Sequence, residues 1–346
     1  MSAERLTAAC AGHATACTDT QTTTARVRGT RKRRLHAWHP HPWGAFARWI
    51  PPGAFWYARG VDMGRETGDA PLVVRQVQCK NILGDSGICD YSLNCYTGCT
   101  HACVYCYARF MGRFQHPGES WGRFVDVKIN APEALARQLR KRWLLPPGSV
   151  FVSSVCDAYQ PLEAQCRLTR QCLGPLLEAG YRVHVQTKSP LVQRDYDLLA
   201  GRDNASVCLT ITTVDAALAR LLEPQAPAPD ERLAALREAR RAGITAKAFV
   251  GPLMPGLTDT PEALEALLAA LAELDLAEVY LDRLNLRWGV WPALKQALAG
   301  HGEALRATGQ MLFNDAARGA YNCQLRQRAL DAAAAARLKA PLNIIF

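Results

Sequence analysis

The feature that most constrains the fold is an alternation of two kinds of segment, from about residue 90 to residue 300. Short runs rich in Val, Ile and Leu alternate with segments in which apolar residues recur at helical spacing. Continuous apolar strands separated by helices are typical of a parallel sheet that is covered on both faces. The predicted strands are Asp90–Leu93, Ser149–Val155, Tyr181–Thr187, Ser206–Thr212, Ile244–Val250 and Ala277–Leu281.

Six such strands with their helices predict an α/β fold of the open, partial (β/α)6 TIM-barrel type over residues 71–300, with a cluster-binding loop near its start. Residues 124–129 are assigned to the first crossover, and residues 301–346 to a helix and tail packed on the barrel. Ligands of such sheets bind at the carboxyl ends of the strands. The helices are predicted over Pro132–Trp143, Glu163–Leu177, Arg194–Leu199, Ala216–Leu222, Glu231–Ala242, Pro261–Leu274 and Trp291–Ala299.

Residues 1–70 show neither strand nor helix periodicity, and we expect them to form a poorly ordered tail. Six basic residues and no acid lie between Arg26 and Arg34, and a Pro- and aromatic-rich stretch follows. Basic segments with interleaved rings suit nucleic acid, although such runs are also common as solvated tails. Over the chain, 41 Lys and Arg against 31 Asp and Glu leave a charge of +10, which favours a polyanionic partner.

No apolar run in the 346 residues approaches the roughly 20 residues that a membrane-spanning helix needs. The first 30 residues also lack the continuous apolar core of a secretory signal. The sequence therefore predicts a cytoplasmic protein without a membrane partner. In such a chain, 13 cysteines, an odd number, argue against a disulfide framework and favour metal binding.

The cysteines are densest in one loop, directly after the first predicted strand. Within it, Cys99, Cys103 and Cys106 are spaced C-x3-C-x2-C. Three thiolates on one loop can bind three irons of a [4Fe–4S] cube and leave the fourth iron open. A structural zinc ion needs four ligands, usually from two separated pairs, so a single group of three disfavours zinc.

This motif, with an aromatic residue before its third cysteine, resembles that of the radical S-adenosylmethionine (SAM) superfamily. The wider sequence is similar to one branch, the spore photoproduct lyase-like or DNA repair photolyase family, over roughly residues 90–300. The matching segments are YSLNCYTGCTHACVYCYARFM (91–111), WGRFVDVKINAPE (121–133), VSSVCDAYQPLEAQCRLTR (152–170), VQTKSPLVQRDYDLLA (185–200), FVGPLMPGLTD (249–259) and LDRLNLRWGVWPAL (281–294).

The resemblance implies an enzyme whose reduced [4Fe–4S] cluster cleaves SAM to methionine and a 5′-deoxyadenosyl radical, which abstracts hydrogen from a substrate. Cys99, Cys103 and Cys106 would bind the cluster, and a one-electron donor such as a flavodoxin or ferredoxin would reduce it. The residues that match the family's SAM contacts are Tyr105, Tyr107, Asp157, Lys188 and Thr210. The alternatives are a helix N-cap for Asp157 and a solvated strand end for Lys188.

The chain departs from the family pattern in two places. Spore photoproduct lyases carry a hydrogen-donating Cys three residues before the Asp, where this chain has Ser154, whose O–H bond is too strong for that step. Cys156, two residues on, shares a strand face with Ser154 and is either its replacement or an inert buried thiol. The three cysteines before the motif are either buried thiols or ligands of a second cluster: Cys79, Cys89 and Cys95.

The other candidate residues are assigned by position. Asp282, Asn285 and Arg287 follow the last predicted strand and are candidates for substrate binding. His101 is expected to orient the cysteine loop or to face solvent. Four further cysteines fall in helix or strand patterns and are expected in the core: Cys166, Cys172, Cys208 and Cys323.

The leading hypothesis is a radical SAM enzyme that acts on nucleic acid, as a relative of the DNA-lesion lyases. A second enzyme hypothesis keeps the radical chemistry and takes a peptide or small metabolite as substrate. A hypothesis of another class is a non-catalytic metal-binding protein that binds nucleic acid. Asp157 and Lys188 disfavour this last hypothesis, because a binding protein needs no SAM pocket.

Overall fold

A computed structural model of the chain describes residues 56–57, 71–141 and 143–346. The basic tail predicted over residues 1–70 lies outside the described residues, apart from one short strand. The strands within the described ranges are β1 (Trp56–Tyr57), β2 (Val73–Val77), β3 (Leu83–Asp85), β4 (Tyr91–Leu93), β5 (Tyr96–Thr97), β6 (Phe124–Lys128), β7 (Ser149–Val152), β8 (Arg182–Thr187), β9 (Ala205–Thr210), β10 (Thr245–Leu253), β11 (Glu278–Arg283) and β12 (Leu342–Ile344).

The helices begin, in several cases, at a residue whose side chain accepts a hydrogen bond from the first turn. Asp215, Thr260 and Asn314 do this for α6, α8 and α11, and so satisfy backbone N–H groups that have no partner inside the helix. The helices are α1 (Phe110–Gln115), α2 (Ala131–Leu139), α3 (Glu163–Cys166), α4 (Leu168–Glu178), α5 (Tyr196–Leu199), α6 (Ala216–Leu222), α7 (Pro229–Arg241), α8 (Pro261–Ala272), α9 (Val290–Ala297), α10 (Gly302–Phe313) and α11 (Asp315–Ala335).

All six predicted strands lie side by side in one sheet. Strands β4, β7, β8, β9, β10 and β11 are neighbours in that order and pair parallel, so the predicted parallel α/β sheet is confirmed. Two strands that the sequence analysis did not anticipate extend it: β3 pairs antiparallel with β4, and β12 pairs parallel with β11. Strands β3 and β12 form the two ends of the sheet order, so the sheet is open rather than a closed barrel.

The sheet is apolar because helices cover it. All six residues of β9, the strand in the middle of the sheet, are buried. Helices α4 and α8 present leucines at helical spacing that are almost fully buried, among them Leu173, Leu176, Leu264 and Leu271. This pattern, continuous on the strands and periodic on the helices, is what made the fold class predictable.

A second sheet lies before the main one in the chain, with the order β1-β2-β6-β5. Strand β6 covers most of the segment 124–129 assigned to the first crossover, and it pairs with β2 and β5 rather than with the main sheet. Strand β5 consists of Tyr96 and Thr97, so the second sheet leads directly into the cysteine motif.

The C-terminal segment contains helix α11, as expected, and also β12. Leu325, Ala329 and Ala332 of α11 are buried in the main hydrophobic core, so this helix is part of the same packed unit as the main sheet. The following residues form β12 beside β11 instead of ending as a tail. None of the helices in the described ranges is both long and apolar enough to cross a membrane.

Candidate cluster and cofactor site

The cysteine loop begins directly after β4, at the carboxyl end of the main sheet. Cys99 and Cys103 are buried and Cys106 is partly buried. Burial raises the pKa of the Cys99 thiol, and the charges of Asp157, Cys103 and Cys106 raise it further. Burial and the neighbouring thiols of the motif thus act on the pKa of Cys99 in the same direction.

The motif supplies three thiols as its donor set. Within the described residues, no three His, Cys, Asp or Glu side chains converge as ligands of one metal ion. A [4Fe–4S] cube does not require such convergence, because each thiolate binds a different iron. Three neighbouring thiols on one loop, without a fourth ligand, are the set that such a cube with one open iron needs.

Two glycines allow the loop to lie close against its neighbours. Gly98 has φ +86, and a Cβ there would be 2.3 Å from the carbonyl oxygen of Phe124 in β6. Gly122 has φ +93, and a Cβ there would be 2.4 Å from Cβ of Ala102. Only glycine tolerates both the left-handed backbone and this distance. The loop therefore packs closely against Phe124 of β6 at Gly98, before Cys99, and against Gly122, just before β6, at Ala102, after Cys99.

Hydrogen bonds hold the rest of the loop. The Gln160 amide accepts from the backbone N of Thr100 (3.1 Å) and donates to the carbonyl of Gly98 (3.3 Å). The backbone N of Val104 donates to the carbonyl of Leu222 at the end of α6 (2.9 Å). Because these contacts come from the segments that follow β7 and β9, the main sheet fixes the position of the cysteines.

Asp157 lies after β7 and ties that strand end to β8. Its carboxylate accepts hydrogen bonds from the Thr187 hydroxyl (2.6 Å) and from the backbone N of Lys188 (2.8 Å) and of Tyr159 (2.8 Å). Burial favours the neutral acid, but the nearby His101 and these hydrogen bonds together lower the pKa of Asp157 below its usual range. Asp157 makes no cap to α3, so its alternative assignment as a helix N-cap was wrong.

His101 is buried and faces Asp157, with Nδ1 at 3.3 Å from Oδ2 of the carboxylate. Neither ring nitrogen has a hydrogen-bond partner of good geometry, although both are buried. The expectation that His101 orients the loop agrees with this position, and the alternative that it faces solvent was wrong.

Lys188 follows β8 and approaches a buried polar network. Its Nζ lies 3.9 Å from Oε1 of Glu223 and 5.6 Å from the ring centre of Tyr105. Although burial opposes the charged form, the neighbouring Cys103 and Glu223 raise the pKa of Lys188. Lys188 is therefore a cation beside the cysteine loop, and the alternative of a solvated strand end was wrong.

Glu223 is the centre of that network and is fully buried. It accepts hydrogen bonds from the hydroxyls of Tyr105 and Thr212 and pairs with the guanidinium of Arg232. Arg232, with 1% of its side chain exposed, also donates to the carbonyl of Thr210 (3.0 Å). Burial opposes the charge of Glu223, but Arg232 and Lys188 keep the pKa of its carboxyl below the usual value.

Tyr107 and Cys156 lie together on the side of the loop that follows β7. The Tyr107 hydroxyl donates to the carbonyl of Ser154. The Cys156 thiol lies 2.8 Å from the hydroxyl of Ser153, and burial raises the pKa of this thiol to about 12. Asn94 holds the segment in place, because its carbonyl oxygen accepts from the Ser153 hydroxyl (2.7 Å) and from the backbone N of Ser154 (2.8 Å).

The remaining candidate residues for SAM and substrate binding do not lie together at one site. Thr210 is buried on β9, where its hydroxyl accepts a hydrogen bond from Gln186 (3.4 Å), and its role beside SAM stays a prediction. Asp282, near the end of β11, accepts a hydrogen bond (2.9 Å) from the amide of Asn285, which follows the strand. Arg287 is exposed on the same loop and lines a separate groove with Arg109 and Trp288.

The other cysteines are mostly buried thiols. Cys95 is buried and hydrogen-bonds the thiol of Cys172, while Cys79 and Cys89 are partly buried. Cys208 is buried, as predicted, and Cys166 is partly buried and packs against the main core. Cys323 is exposed, so its assignment to the core was wrong; it lies on α11, whose buried face is formed by other residues.

The polar residues that hold the cysteine loop and the network beneath it were not predicted from the sequence. Gln160, Glu223 and Arg232 are almost fully buried and bind the loop or the network beneath it. Of these, Gln160 gave a signal, since it lies three residues after Asp157 in a segment already matched to the family. Glu223 and Arg232 lie in ordinary helical surroundings and gave none.

The family model described as "Radical SAM superfamily" matches residues 93–269. An uncharacterized protein of Methanocaldococcus jannaschii is 38% identical over 169 residues, which are 49% of this chain and 62% of that protein. An uncharacterized protein of Mycobacterium tuberculosis is 33% identical over 203 residues, which are 57% of this chain and 59% of that protein. The chain thus spans about six tenths of the length of these relatives.

Among solved structures, spore photoproduct lyase complexed with a dinucleoside spore photoproduct has a similar fold, with a TM-score of 0.61. The similarity covers 79% of this chain and 82% of the lyase, at 16% sequence identity. At this identity the likeness concerns the fold alone.

Proposed function

Because the chain belongs to the radical SAM superfamily, an enzyme family that uses a [4Fe–4S] cluster and SAM, we propose that it starts a radical reaction on a nucleic-acid substrate. The observation that carries the first part is the arrangement at the ends of β4, β7 and β8. There, one loop carries the three thiols, the Asp157 carboxylate lies 3.3 Å from His101 of that loop, and Nζ of Lys188 lies 5.6 Å from the ring centre of Tyr105 in it.

We assign the cluster to Cys99, Cys103 and Cys106, and SAM to the space between this loop and the strand ends of β7, β8 and β9. When bound, the cluster and SAM supply a 5′-deoxyadenosyl radical. Asp157 positions the backbone of Lys188 and the hydroxyl of Thr187. Lys188 places a positive charge beside Cys103, and Tyr105 is fixed by Glu223 under the loop. Tyr107 flanks Cys106 on the Cys156 side.

Two observations support nucleic acid as the substrate class. The lyase with the similar fold binds a dinucleoside spore photoproduct. In addition, the basic excess is not confined to the tail: residues 71–346 contain 31 Lys and Arg against 26 Asp and Glu. A basic protein attracts the phosphate backbone of nucleic acid. Substrate contacts are also proposed for Asp282, near the carboxyl end of β11, and for Asn285, which follows that strand.

The test is an anaerobic assay of 5′-deoxyadenosine formation by the reconstituted, reduced protein with SAM. UV-irradiated DNA, the same DNA without irradiation, and a mixture of peptides are added in parallel. We expect 5′-deoxyadenosine in every arm, and a clear stimulation by irradiated DNA with loss of a lesion detected by mass spectrometry. Formation without stimulation by any nucleic acid would leave the radical chemistry and reject the substrate class.

Replacement of Asp157 by Asn is expected to weaken SAM binding. The amide cannot accept all three hydrogen bonds of the carboxylate, so the backbone of Lys188 loses its fixed position. Hydrogen bonds to charged groups contribute about 1.5–3 kcal/mol, so the Kd for SAM should rise about ten- to hundredfold. Equilibrium binding of SAM measures this, and Asp203→Asn, an exposed residue before β9, is the matched control. Equal affinity in both variants would show that Asp157 has only a structural role.

Replacement of Cys156 by Ala is expected to separate radical formation from product formation. Its partly buried thiol lies 2.8 Å from the Ser153 hydroxyl and directly precedes Asp157; an S–H bond there can donate hydrogen to a product radical, whereas the O–H bond of Ser154 is too strong. We expect 5′-deoxyadenosine to form as in the unchanged protein, with a large fall in product per 5′-deoxyadenosine. Cys166→Ala is the control, because that thiol lies on α3. An unchanged ratio would identify Cys156 as an inert thiol.

A further inference from the structure

A groove of about 1640 Å³ lies along the cysteine loop, apart from the proposed SAM site. Ala102 and Val104, on either side of Cys103, form part of its wall. The other walls come from the segment 112–124, from the end of α6, and from the loop after β11 with α9. The groove therefore touches the polypeptide that would hold the cluster.

The groove is strongly basic. Its lining includes one carboxylate, Glu119, which pairs with Arg75 and hydrogen-bonds His116 (2.9 Å), so its negative charge is already compensated. The arginines of the lining come from four different segments: Arg109, Arg113, Arg123, Arg220 and Arg287. A concave surface with charge of one sign attracts partners of the opposite sign over about a Debye length.

Aromatic side chains lie among these arginines. Trp288 and Phe313 are 53% and 58% exposed, and Phe313 packs edge-on against Trp291 with ring centres 5.2 Å apart. Exposed rings in a basic groove suit either a nucleic acid, whose bases stack on rings, or an acidic protein with an apolar patch.

The position of the groove distinguishes between two kinds of partner. A substrate must reach SAM, but Asp157, Lys188, Thr210 and Cys156 do not line the groove. A reductant must instead approach the cluster, and the groove wall includes both neighbours of Cys103. We infer that this groove is the docking site of an acidic one-electron donor protein, an inference that rests on the proposed cluster at the cysteine motif.

One electron passes from the docked donor to the cluster, and no other reactant is needed. The donor is oxidised by one electron and the cluster is reduced by one, with no bond formed between the proteins. Arg109 connects the groove to the cluster loop, because its guanidinium donates to the carbonyl of Cys103 (3.2 Å). Arg113 on α1 and Arg220 on α6 are exposed in the groove and lie outside the cysteine motif, so their replacement leaves the proposed cluster ligands in place.

The test reverses two charges of the groove with Arg113→Glu/Arg220→Glu. The control is Lys141→Glu/Arg326→Glu, which changes net charge equally at exposed residues outside the groove. Each reconstituted protein is mixed with reduced flavodoxin, and in parallel with reduced plant-type ferredoxin. Binding is followed at low and high salt, and cluster reduction by stopped-flow absorbance and electron paramagnetic resonance. Dithionite replaces the donor protein in a third series.

We expect the groove variant to lose about tenfold or more in donor affinity and reduction rate at low salt. The control variant should behave like the unchanged protein, and dithionite should reduce all three equally. Equal donor affinities in both variants, or no saturable binding of either donor, would overturn the inference. So would loss of single-stranded DNA binding with donor reduction unchanged, which would assign the groove to nucleic acid. Absence of 5′-deoxyadenosine with dithionite would instead reject the proposed function, because donor binding and cluster reduction need no SAM.

Discussion

A chain carrying Cys103→Ala should bind little iron and form no 5′-deoxyadenosine, whereas the unchanged protein should hold about four irons and produce it. Cys103 is the central thiol of the motif and is buried. The next residue, Val104, is hydrogen-bonded to Leu222 of α6, which holds this part of the loop in place. A cube that has lost one of three thiolates has a second open iron. Cys99 and Cys106 are already assigned to other irons, and Cys95, the further Cys of the described loop, is buried against Cys172.

The matched control is Cys172→Ala, which removes an equally buried thiol from α4. This thiol hydrogen-bonds Cys95 and lies outside the motif, so iron content and 5′-deoxyadenosine formation should survive. Iron and acid-labile sulfide are measured on each purified protein beside the activity. Four irons and full activity in Cys103→Ala would contradict the ligand assignment.

Replacing Arg232 by Met should destabilise the protein by about 3 kcal/mol, because it removes the hydrogen-bonded counter-ion of the buried Glu223 carboxylate and leaves only Lys188, whose Nζ lies 3.9 Å from Oε1. Both side chains are almost completely buried, and Glu223 also accepts hydrogen bonds from Tyr105 and Thr212. The loss should persist near neutral pH. It should shrink as the pH falls towards and below about 4.3, where Glu becomes protonated in the unfolded chain and the stability linked to the lowered pKa of Glu223 is lost.

The free energy of unfolding is measured by urea denaturation. Arg240→Met is the control on the same helix, since the partner of Arg240, Asp275, is 83% exposed; we expect it to cost less than about 1 kcal/mol. The double variant Glu223→Gln/Arg232→Met should recover part of the loss, because the buried carboxylate is removed together with the guanidinium that pairs with it. A loss in Arg232→Met as small as that of the control would show that Glu223 is neutralised in another way.

The fold was predictable where the signal is local. Continuous apolar runs such as those of β8 and β9 indicate buried parallel strands without any knowledge of their partners. Strand β12 was missed because three residues carry too little pattern, and it exists through pairing with β11, about 60 residues earlier. The second sheet was missed because β6 has an apolar pattern like that of the main strands, and only its pairing with β2 and β5 distinguishes it.

The same distinction applies to the site. The cysteine motif is contiguous, so spacing alone indicates its chemistry. Arg232 looks like one more arginine on the polar face of α7, and only the fold brings it to Glu223 and Thr210. Asp157 matched a helix cap by position, whereas its real partners are on β8. Contacts that join segments far apart in sequence leave no trace in a local pattern.

Gly98 in the cysteine loop and Gly122, which packs against Ala102 of that loop, affect how sequence variation in this chain should be interpreted. Gly98 and Gly122 bind neither metal nor cofactor, yet any side chain at either position would collide with Phe124 or Ala102. In a library of all single substitutions, these two positions should therefore be as intolerant as the cysteines. Intolerance alone would assign them to catalysis, while the geometry assigns them to the shape of the loop. Iron content of the purified substituted proteins, rather than survival in a selection, separates the two meanings.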